Sequence, residues 1–277
     1  MTTKTESDCT AFEQLLAEAG TLVADGAMGT TLFEMGLESG GCPELLNVEQ
    51  ADLVRRVHQA FVDAGADIIL TNTFGGNRRR LALHRLDGRV AELNTAAASI
   101  AASVRDATDR PILVAGSIGP TGDLFEPLGP LTIQEGVAVF REQATALAEA
   151  GVDVLWIETL SSWEELSAAI EGCAGLGLPT VATLSFDTNG KTMMGISPRK
   201  FGEWWASQEN PPIAIGANCG IGPGDAVAAA FDITSVAPDV PVITKANCGV
   251  PLYKTDAPED PVGPEGMADY VELAVRS

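Results

Sequence analysis

The chain has little positive charge: 17 lysines and arginines stand against 38 aspartates and glutamates, a formal net charge of -21 over 277 residues. Surfaces that hold a nucleic-acid backbone or an anionic membrane are basic, so neither is expected as a partner. Long apolar runs are missing as well, and nothing approaches the roughly 18 uninterrupted apolar residues of a membrane helix. The first twenty residues carry acidic and polar groups where a secretory leader has a basic segment and then an apolar one, so no signal peptide is expected. Five scattered cysteines, an odd number, fit a reducing cytoplasm better than a disulfide framework, and a cytosolic protein is expected. Histidine is scarce. His58 and His84 fall in predicted helices away from strand ends, where surface or packing roles are expected, and no Ser-His-Asp or Cys-His pairing emerges. No Gly-x-Gly-x-x-Gly opens the first helix, and Gly116-Ser-Ile-Gly-Pro-Thr-Gly122 lacks the Lys-Ser/Thr ending of a phosphate loop, so it reads as a tight turn. With no low-complexity linker and no shift in composition, one domain over residues 1–277 is expected, its first 20 residues an extension or helix.

What is present is a regular alternation. Seven short apolar runs read as strands: Thr21-Leu-Val-Ala-Asp25, Asp67-Ile-Ile-Leu-Thr-Asn-Thr73, Pro111-Ile-Leu-Val-Ala-Gly-Ser117, Asp153-Val-Leu-Trp-Ile-Glu158, Thr180-Val-Ala-Thr-Leu-Ser185, Ile213-Ala-Ile-Gly-Ala217 and Val242-Ile-Thr-Lys-Ala-Asn247. Helical period fills the gaps. Residues 50–65 place Leu53, Val57, Ala60, Phe61 and Ala64 on one predicted face, and residues 132–150 place Val137, Phe140, Ala144 and Leu147 inward, each segment stopping at a glycine. Helix, Gly-Ala-Asp or Gly-Val-Asp, then buried strand is the pattern of parallel βα units, so the fold class is α/β. A barrel explains the chain better than an open sheet, because polar and acidic residues recur after nearly every strand, and a barrel gathers such ends at one rim.

Several of these end residues invite chemistry. Asp25 and Glu158 close apolar strands, where a charge needs a partner: a substrate ammonium, or backbone amides of the glycine-rich loops. Asn72, Ser117, Ser185, Asn218 and Asn247 are candidate hydrogen-bond donors, to a substrate carboxylate or to the loops themselves. Cys219 ends the sixth run within Gly216-Ala-Asn-Cys-Gly220, and Cys248 follows the seventh. Cys42 lies in a loop after the first run; Cys9 and Cys173 lie away from the expected rim. Trp204-Trp205, near Met193-Met194, suggests either an aromatic box for a quaternary ammonium or ordinary helix packing.

Six motifs in order, Asp25-Gly-Ala-Met-Gly-Thr30, Thr71-Asn-Thr-Phe-Gly-Gly-Asn77, Ala115-Gly-Ser-Ile-Gly-Pro-Thr121, Ile157-Glu-Thr159, Ser185-Phe-Asp187 and Gly216-Ala-Asn-Cys-Gly220, resemble the zinc-dependent homocysteine S-methyltransferases. That family includes betaine-homocysteine methyltransferases and the homocysteine domain of methionine synthase, and the likeness runs from about Thr21 to the C-terminus. It implies a (β/α)8 TIM barrel and an enzyme that moves a methyl group onto the zinc-activated thiolate of homocysteine, forming methionine. It implies Cys219 as catalytic zinc ligand and Asp25, Gly26, Thr73 and Glu158 around the amino-acid end of homocysteine; Ser117 and Asn218, from their place at strand ends, are further candidate substrate contacts. Zinc would serve by deprotonating a thiol whose ordinary pKa is roughly 8.5.

The sequence departs from the family in one respect. Two adjacent cysteines of a Gly-Gly-Cys-Cys-Gly motif after the eighth strand have no counterpart, so a barrel truncated before strand eight is expected. Cys248 lies just past the strand next in order to that of Cys219 and is a candidate second ligand, or else an idle thiol. The donor stays open among betaine, a methylcorrinoid protein and S-methylmethionine, and a homo-oligomer is a further possibility. The alternative is a non-catalytic or divergent barrel that lost the cysteine pair and binds an amino acid or a partner subunit.

Overall fold

The computed structural model describes residues 10–248, 252–253, 258–259 and 262–276. In chain order the elements are α1 (Ala11–Ala19), α2 (Met28–Glu34), α3 (Leu46–Glu49), α4 (Ala51–Asp63), β1 (Ile68–Leu70), α5 (Arg78–Ala82), α6 (Val90–Asp106), β2 (Leu113–Ile118), α7 (Ile133–Glu149), β3 (Val154–Leu160), α8 (Trp163–Cys173), β4 (Thr180–Leu184), α9 (Pro198–Ser207), β5 (Ala214–Cys219), α10 (Pro223–Thr234), β6 (Val242–Ala246), the short antiparallel pair β7 (Leu252–Tyr253) and β8 (Pro258–Glu259), and α11 (Pro264–Val275). The fold is α/β. Contacts divide the chain into two compact units, residues 1–156 with 168–179, and residues 157–167 with 180–277; β3 and α8 contribute to both.

In the first unit the strand order is β1-β2-β3. β1 pairs parallel with β2 from Ile68 opposite Leu113 to Leu70 opposite Ala115. Every residue of both strands is buried, which is why they read as continuous apolar runs without alternation. The first of the seven runs forms no strand. Its pairing is confined to a parallel bridge between Ala24 and Ile68, with Asp25 N donating to Ile68 O at 2.9 Å and Asp67 N to Val23 O at 2.7 Å. Between the end of α1 and the left-handed Ala27 that opens α2 there is room for little more.

The helices of this unit start where the sequence supplies caps. Thr10 with Glu13 and Thr132 with Glu135 form capping boxes at α1 and α7. Asn77 accepts from the amides of Arg79 and Arg80 at the start of α5. On α7, Phe140, Ala144 and Leu147 are buried as the periodicity predicts, with Val137 half-buried. On α4 the buried face is rotated from the predicted one: Leu53 and Val57 are joined by Val54, His58 and Val62, while Ala60 and Ala64 are exposed. Val54 and Val57 pack in one cluster with Leu32, Leu46, Leu53 and Ile100. Larger β-branched side chains bury more apolar area than the alanines, and that decides the face.

In the second unit the order is β3-β4-β5-β6, again parallel where β4, β5 and β6 pair. Ser197 caps α9, whose Phe201 and Trp204 rings stack at 5.6 Å and 17° and meet Trp163. Trp205 donates its indole N–H to Pro212 O at 2.7 Å. Both tryptophans are thus engaged in helix packing, while Met193 is exposed. Among the described residues no helix is long and apolar enough to cross a membrane.

One glycine sets the approach of two strands. Gly216 lies opposite Ile243, and a Cβ on it would fall onto the Ile243 carbonyl and backbone. Only backbone faces backbone there, so nothing flexible can yield. Gly216→Ala is expected to part β5 from β6 and cost upwards of about 3 kcal/mol in urea denaturation, in the range of overpacked core substitutions; a loss under about 1 kcal/mol would contradict this account of the strand pair.

Candidate functional site

The polar strand ends of the first unit are tied into its own loops. Asp25 is 4% exposed, and its Oδ2 accepts from Leu70 N at 3.1 Å. Beyond it, Ser117 N donates to Thr71 Oγ1 at 3.0 Å, and Thr73 Oγ1 donates to Ser117 O at 2.7 Å. The two hydroxyl oxygens are 2.6 Å apart. Since Thr73 has spent its only proton on the carbonyl, Thr71 must be the donor between them, and the four groups close a ring that locks the end of β1 to β2. Thr73 therefore offers a ligand only acceptor capacity. Ser117 contributes backbone atoms to this ring, and Gly26 follows Asp25 directly.

Gln143, on α7, reaches under the same loops. Its Nε2 donates to Thr73 O at 2.8 Å and lies 3.1 Å from Asn94 Oδ1. A Cβ on Gly76 would collide with both amide groups, so this glycine makes room for the network. Asn72 donates to Pro43 O at 2.7 Å and to Asn47 Oδ1 at 3.0 Å, bonding the loops themselves. Cys42 donates to Glu44 Oε2 at 3.2 Å; burial, then the Glu44 charge and hydrogen bond, push its thiol up to about 12. Burial does the same to Cys173, to about 12. Neither thiol supplies a thiolate near neutral pH.

His58 is the least expected group of this unit. Fully buried on α4, it places Nδ1 4.0 Å from Asp25 Oδ2, beyond hydrogen-bonding range, and neither ring nitrogen has a hydrogen-bond partner among the described residues. Burial holds it down at about 4, below its ordinary 6.5, so it is neutral at pH 7.

In the second unit the strand ends converge on one amide. Asn218, 2% exposed at the end of β5, accepts at Oδ1 from Thr159 N at 2.9 Å and from Thr183 Oγ1 at 2.7 Å. Its Nδ2 donates to Thr159 Oγ1 at 2.6 Å and to Cys219 Sγ at 3.2 Å. Two donors and two acceptor sites are all an asparagine has, and all are used. The neighbours it holds are strained: Thr159 has φ 66° and Cys219 φ 55°. For a β-branched residue that is a rare backbone, and such residues persist where their surroundings over-determine them, often at functional sites. The Cys219 thiol is half-buried, with Thr159 Oγ1 at 3.8 Å.

Beside this network Glu158, 6% exposed, pairs with Lys245 at Oε2 to Nζ 3.3 Å. Lys245 stands on β6 opposite Asn218, and Ala246 opposite Cys219. Asn247 donates from its amide N to Cys219 O at 3.2 Å and from Nδ2 to Gly220 O at 3.2 Å, so it too bonds the loop. Cys248 is half-buried just past β6. Ser185 donates to Asp187 Oδ2 at 3.4 Å. Among the described residues no three His, Cys, Asp or Glu side chains gather as a metal cluster. Lys245, Thr159 and Gln143 had drawn no role from the sequence, and His58 only a surface or packing one. Lys245 is the one with a signal in it, a cation inside an otherwise apolar strand.

Two outcomes follow. Asn218→Ala leaves Thr159 N–H and the Thr183 hydroxyl buried without their acceptor, at about 1–3 kcal/mol each, so a loss of at least about 2 kcal/mol is expected in urea denaturation. For His58, the unfolded chain takes up a proton below about pH 6.5 that the folded chain refuses until about pH 4. Stability is therefore present above 6.5 and lost as pH falls through this window, by on the order of 3 kcal/mol. His58→Phe should flatten that part of the profile, and an unchanged slope between pH 6.5 and 4 would exclude the histidine as its source.

The chain is similar to known proteins along most of its length. The family model described as homocysteine S-methyltransferase matches residues 22–276. The methionine synthases of Mycobacterium leprae and Mycobacterium tuberculosis are 29% and 30% identical to the chain over 266 residues, covering 90% of it. The chain spans only 22% of the length of either relative. The metallated form of the homocysteine methyltransferase MmuM from Escherichia coli superposes with a TM-score of 0.79 at 23% identity, covering 96% of this chain and 91% of that one. That likeness shows the fold, and the match of the family model over nearly the whole chain shows the kinship: this chain belongs to the homocysteine S-methyltransferase family.

Proposed function

We propose that the chain transfers a methyl group to the sulfur of homocysteine, forming methionine. The observation that carries this reading is the Cys219 thiol, partly exposed at a strand end and fixed by the saturated Asn218 amide, in a chain of this family. In the reaction a sulfur lone pair forms the new S–CH3 bond. The bond from the methyl carbon to the donor breaks, its electron pair leaves with the donor, and the thiol proton passes to solvent. A substrate ammonium is matched by carboxylates: Glu158 in the second unit, and in the first Asp25, where Gly26, Thr73 and Ser117 are further proposed contacts.

Zinc is the metal the family resemblance implies, and it would supply an acid that keeps a thiol deprotonated near neutral pH. The described residues fit it only in part. Cys219 offers one sulfur; Cys248 is a second thiol two residues past the neighbouring strand, and no three such donors gather among the described residues. No step is therefore assigned to the metal. The chain's own residues bind and orient: Asn218 aims the thiol of Cys219, and Thr159 and Thr183 hold Asn218.

The donor is proposed from betaine, S-methylmethionine or a methylcorrinoid protein. With its net charge of -21 this chain would repel a strongly acidic corrinoid protein, so such a partner should present a neutral or basic face. The test supplies homocysteine and each donor in turn and measures methionine by mass spectrometry, with metal content determined in parallel. Methionine is expected with at least one donor. Cys219→Ser should lower it by more than the roughly 10–100-fold carried by outer partners of a metal site, and reduce bound zinc. No methionine with any donor, from folded chain that binds homocysteine, would favour the binding-only alternative.

A further inference from the structure

Gln143 carries a cost that packing alone does not explain. Fully buried on α7, it turns Nε2 toward three oxygens: Thr73 O at 2.8 Å, Asn94 Oδ1 at 3.1 Å and Ser117 O at 3.3 Å. All three can only accept. Two are backbone carbonyls, and Asn94 spends both protons of its own amide on Gly76 O and Val90 O, each at 2.8 Å, which leaves its oxygen facing Gln143. The orientation of the Gln143 amide is thereby decided, and Oε1 is left buried with no hydrogen-bond partner among the described residues. A methionine would fill the same space without that penalty. The residue is accounted for by what its N–H groups hold.

They hold the Thr73 hydroxyl from two sides. One target, Thr73 O, is that residue's own carbonyl, which Gly76 N also meets at 2.9 Å. The other, Ser117 O, is the acceptor to which the Thr73 hydroxyl gives its proton at 2.7 Å. A hydroxyl oxygen has two lone pairs. In the ring at the end of β1 the Thr71 hydroxyl takes one of them, and the second is the acceptor capacity Thr73 offers a ligand. Thr73 is fully buried, where a hydrogen bond is stronger than at the surface and its placement counts for more.

We infer that Gln143 is a positioning residue of the substrate site: by fixing Thr73 and Ser117 together, it aims the second lone pair of the Thr73 hydroxyl at the substrate ammonium. This rests on the homocysteine reading above, in which Thr73 is a proposed contact, and adds to it the group that sets where that contact lies.

The experiment measures dissociation constants by calorimetry for homocysteine and for 4-sulfanylbutanoate, the same thiol acid without its amino group. Native chain is expected to bind homocysteine about tenfold or more tightly over the other, the span of one hydrogen bond to a charged group. Gln143→Met keeps the length of the side chain and removes both donors; homocysteine should then bind about tenfold more weakly, by the same arithmetic, with 4-sulfanylbutanoate unchanged. Thr73→Val should lower the preference as much, and adding Gln143→Met to it should lower it no further, because both residues act through one hydroxyl. A merely structural glutamine would weaken both ligands together, or add its loss to that of Thr73→Val. Either result, or equal binding of the two ligands by native chain, overturns the inference while the homocysteine reading survives. Should the variants not fold, NMR of native chain decides: the side-chain amide protons of Gln143 should shift with homocysteine and not with 4-sulfanylbutanoate, and an equal response to both or to neither overturns the inference. Failure of native chain to bind homocysteine at all defeats both readings.

Discussion

Everything at the end of β5 depends on one side-chain amide having no unused capacity. Asn218 reaches Thr159 on β3, Thr183 on β4 and Cys219 beside it, and spends two donors and two acceptor sites on them. An asparagine buried with even one of these unmet would cost more than its bonds return. Fully met, it fixes three strand ends and holds Thr159 and Cys219 in left-handed backbone that neither prefers. The thiol is thereby presented at a defined place by rigid elements, which is what a catalytic or metal-binding sulfur requires. The glycine two residues earlier belongs to the same arrangement. Gly216 lets β6 approach closely enough to bring Lys245 level with Asn218.

The first unit shows a parallel solution with different atoms. There a ring of two threonine hydroxyls and the Ser117 backbone joins β1 to β2, and Gln143 braces it from α7. The conserving feature is that polar groups at strand ends are used on one another first and leave few functions for a ligand. Asp25 and Glu158 differ in what stands near them: a neutral histidine at 4.0 Å in one case, a lysine at 3.3 Å in the other.

Much of this was legible in the residues. Six of the seven apolar runs are the six parallel strands, because strands buried on both faces leave an unbroken apolar signature. The remaining run, the first at Thr21, has the composition of a strand but pairs only through the Ala24–Ile68 bridge, with the turn at Ala27 close behind it. Helix existence was plain from periodicity, and the buried face of α4 was not, since alanines and valines compete for it and only packing decides. His58 was hidden for the same reason. Cys219 and Asn218 stood out through their motif, but the partners of Asn218 lie 35 and 59 positions away, a distance no local pattern spans. Lys245 was visible as a charge within an apolar run, yet its meaning came from Glu158, 87 positions earlier.

The most direct test of the central claim is amide hydrogen exchange at Thr159, followed by NMR in native chain and in Asn218→Ala. If Asn218 Oδ1 is the acceptor that fixes this strained residue, the Thr159 amide of native chain exchanges as slowly as the strand interiors around it. In the variant that amide alone should become fast while the rest of β3 and β4 stays protected. Rapid exchange of Thr159 in the native chain, or protection unchanged by the substitution, would contradict the account of Asn218 as the group that organises this end of the sheet.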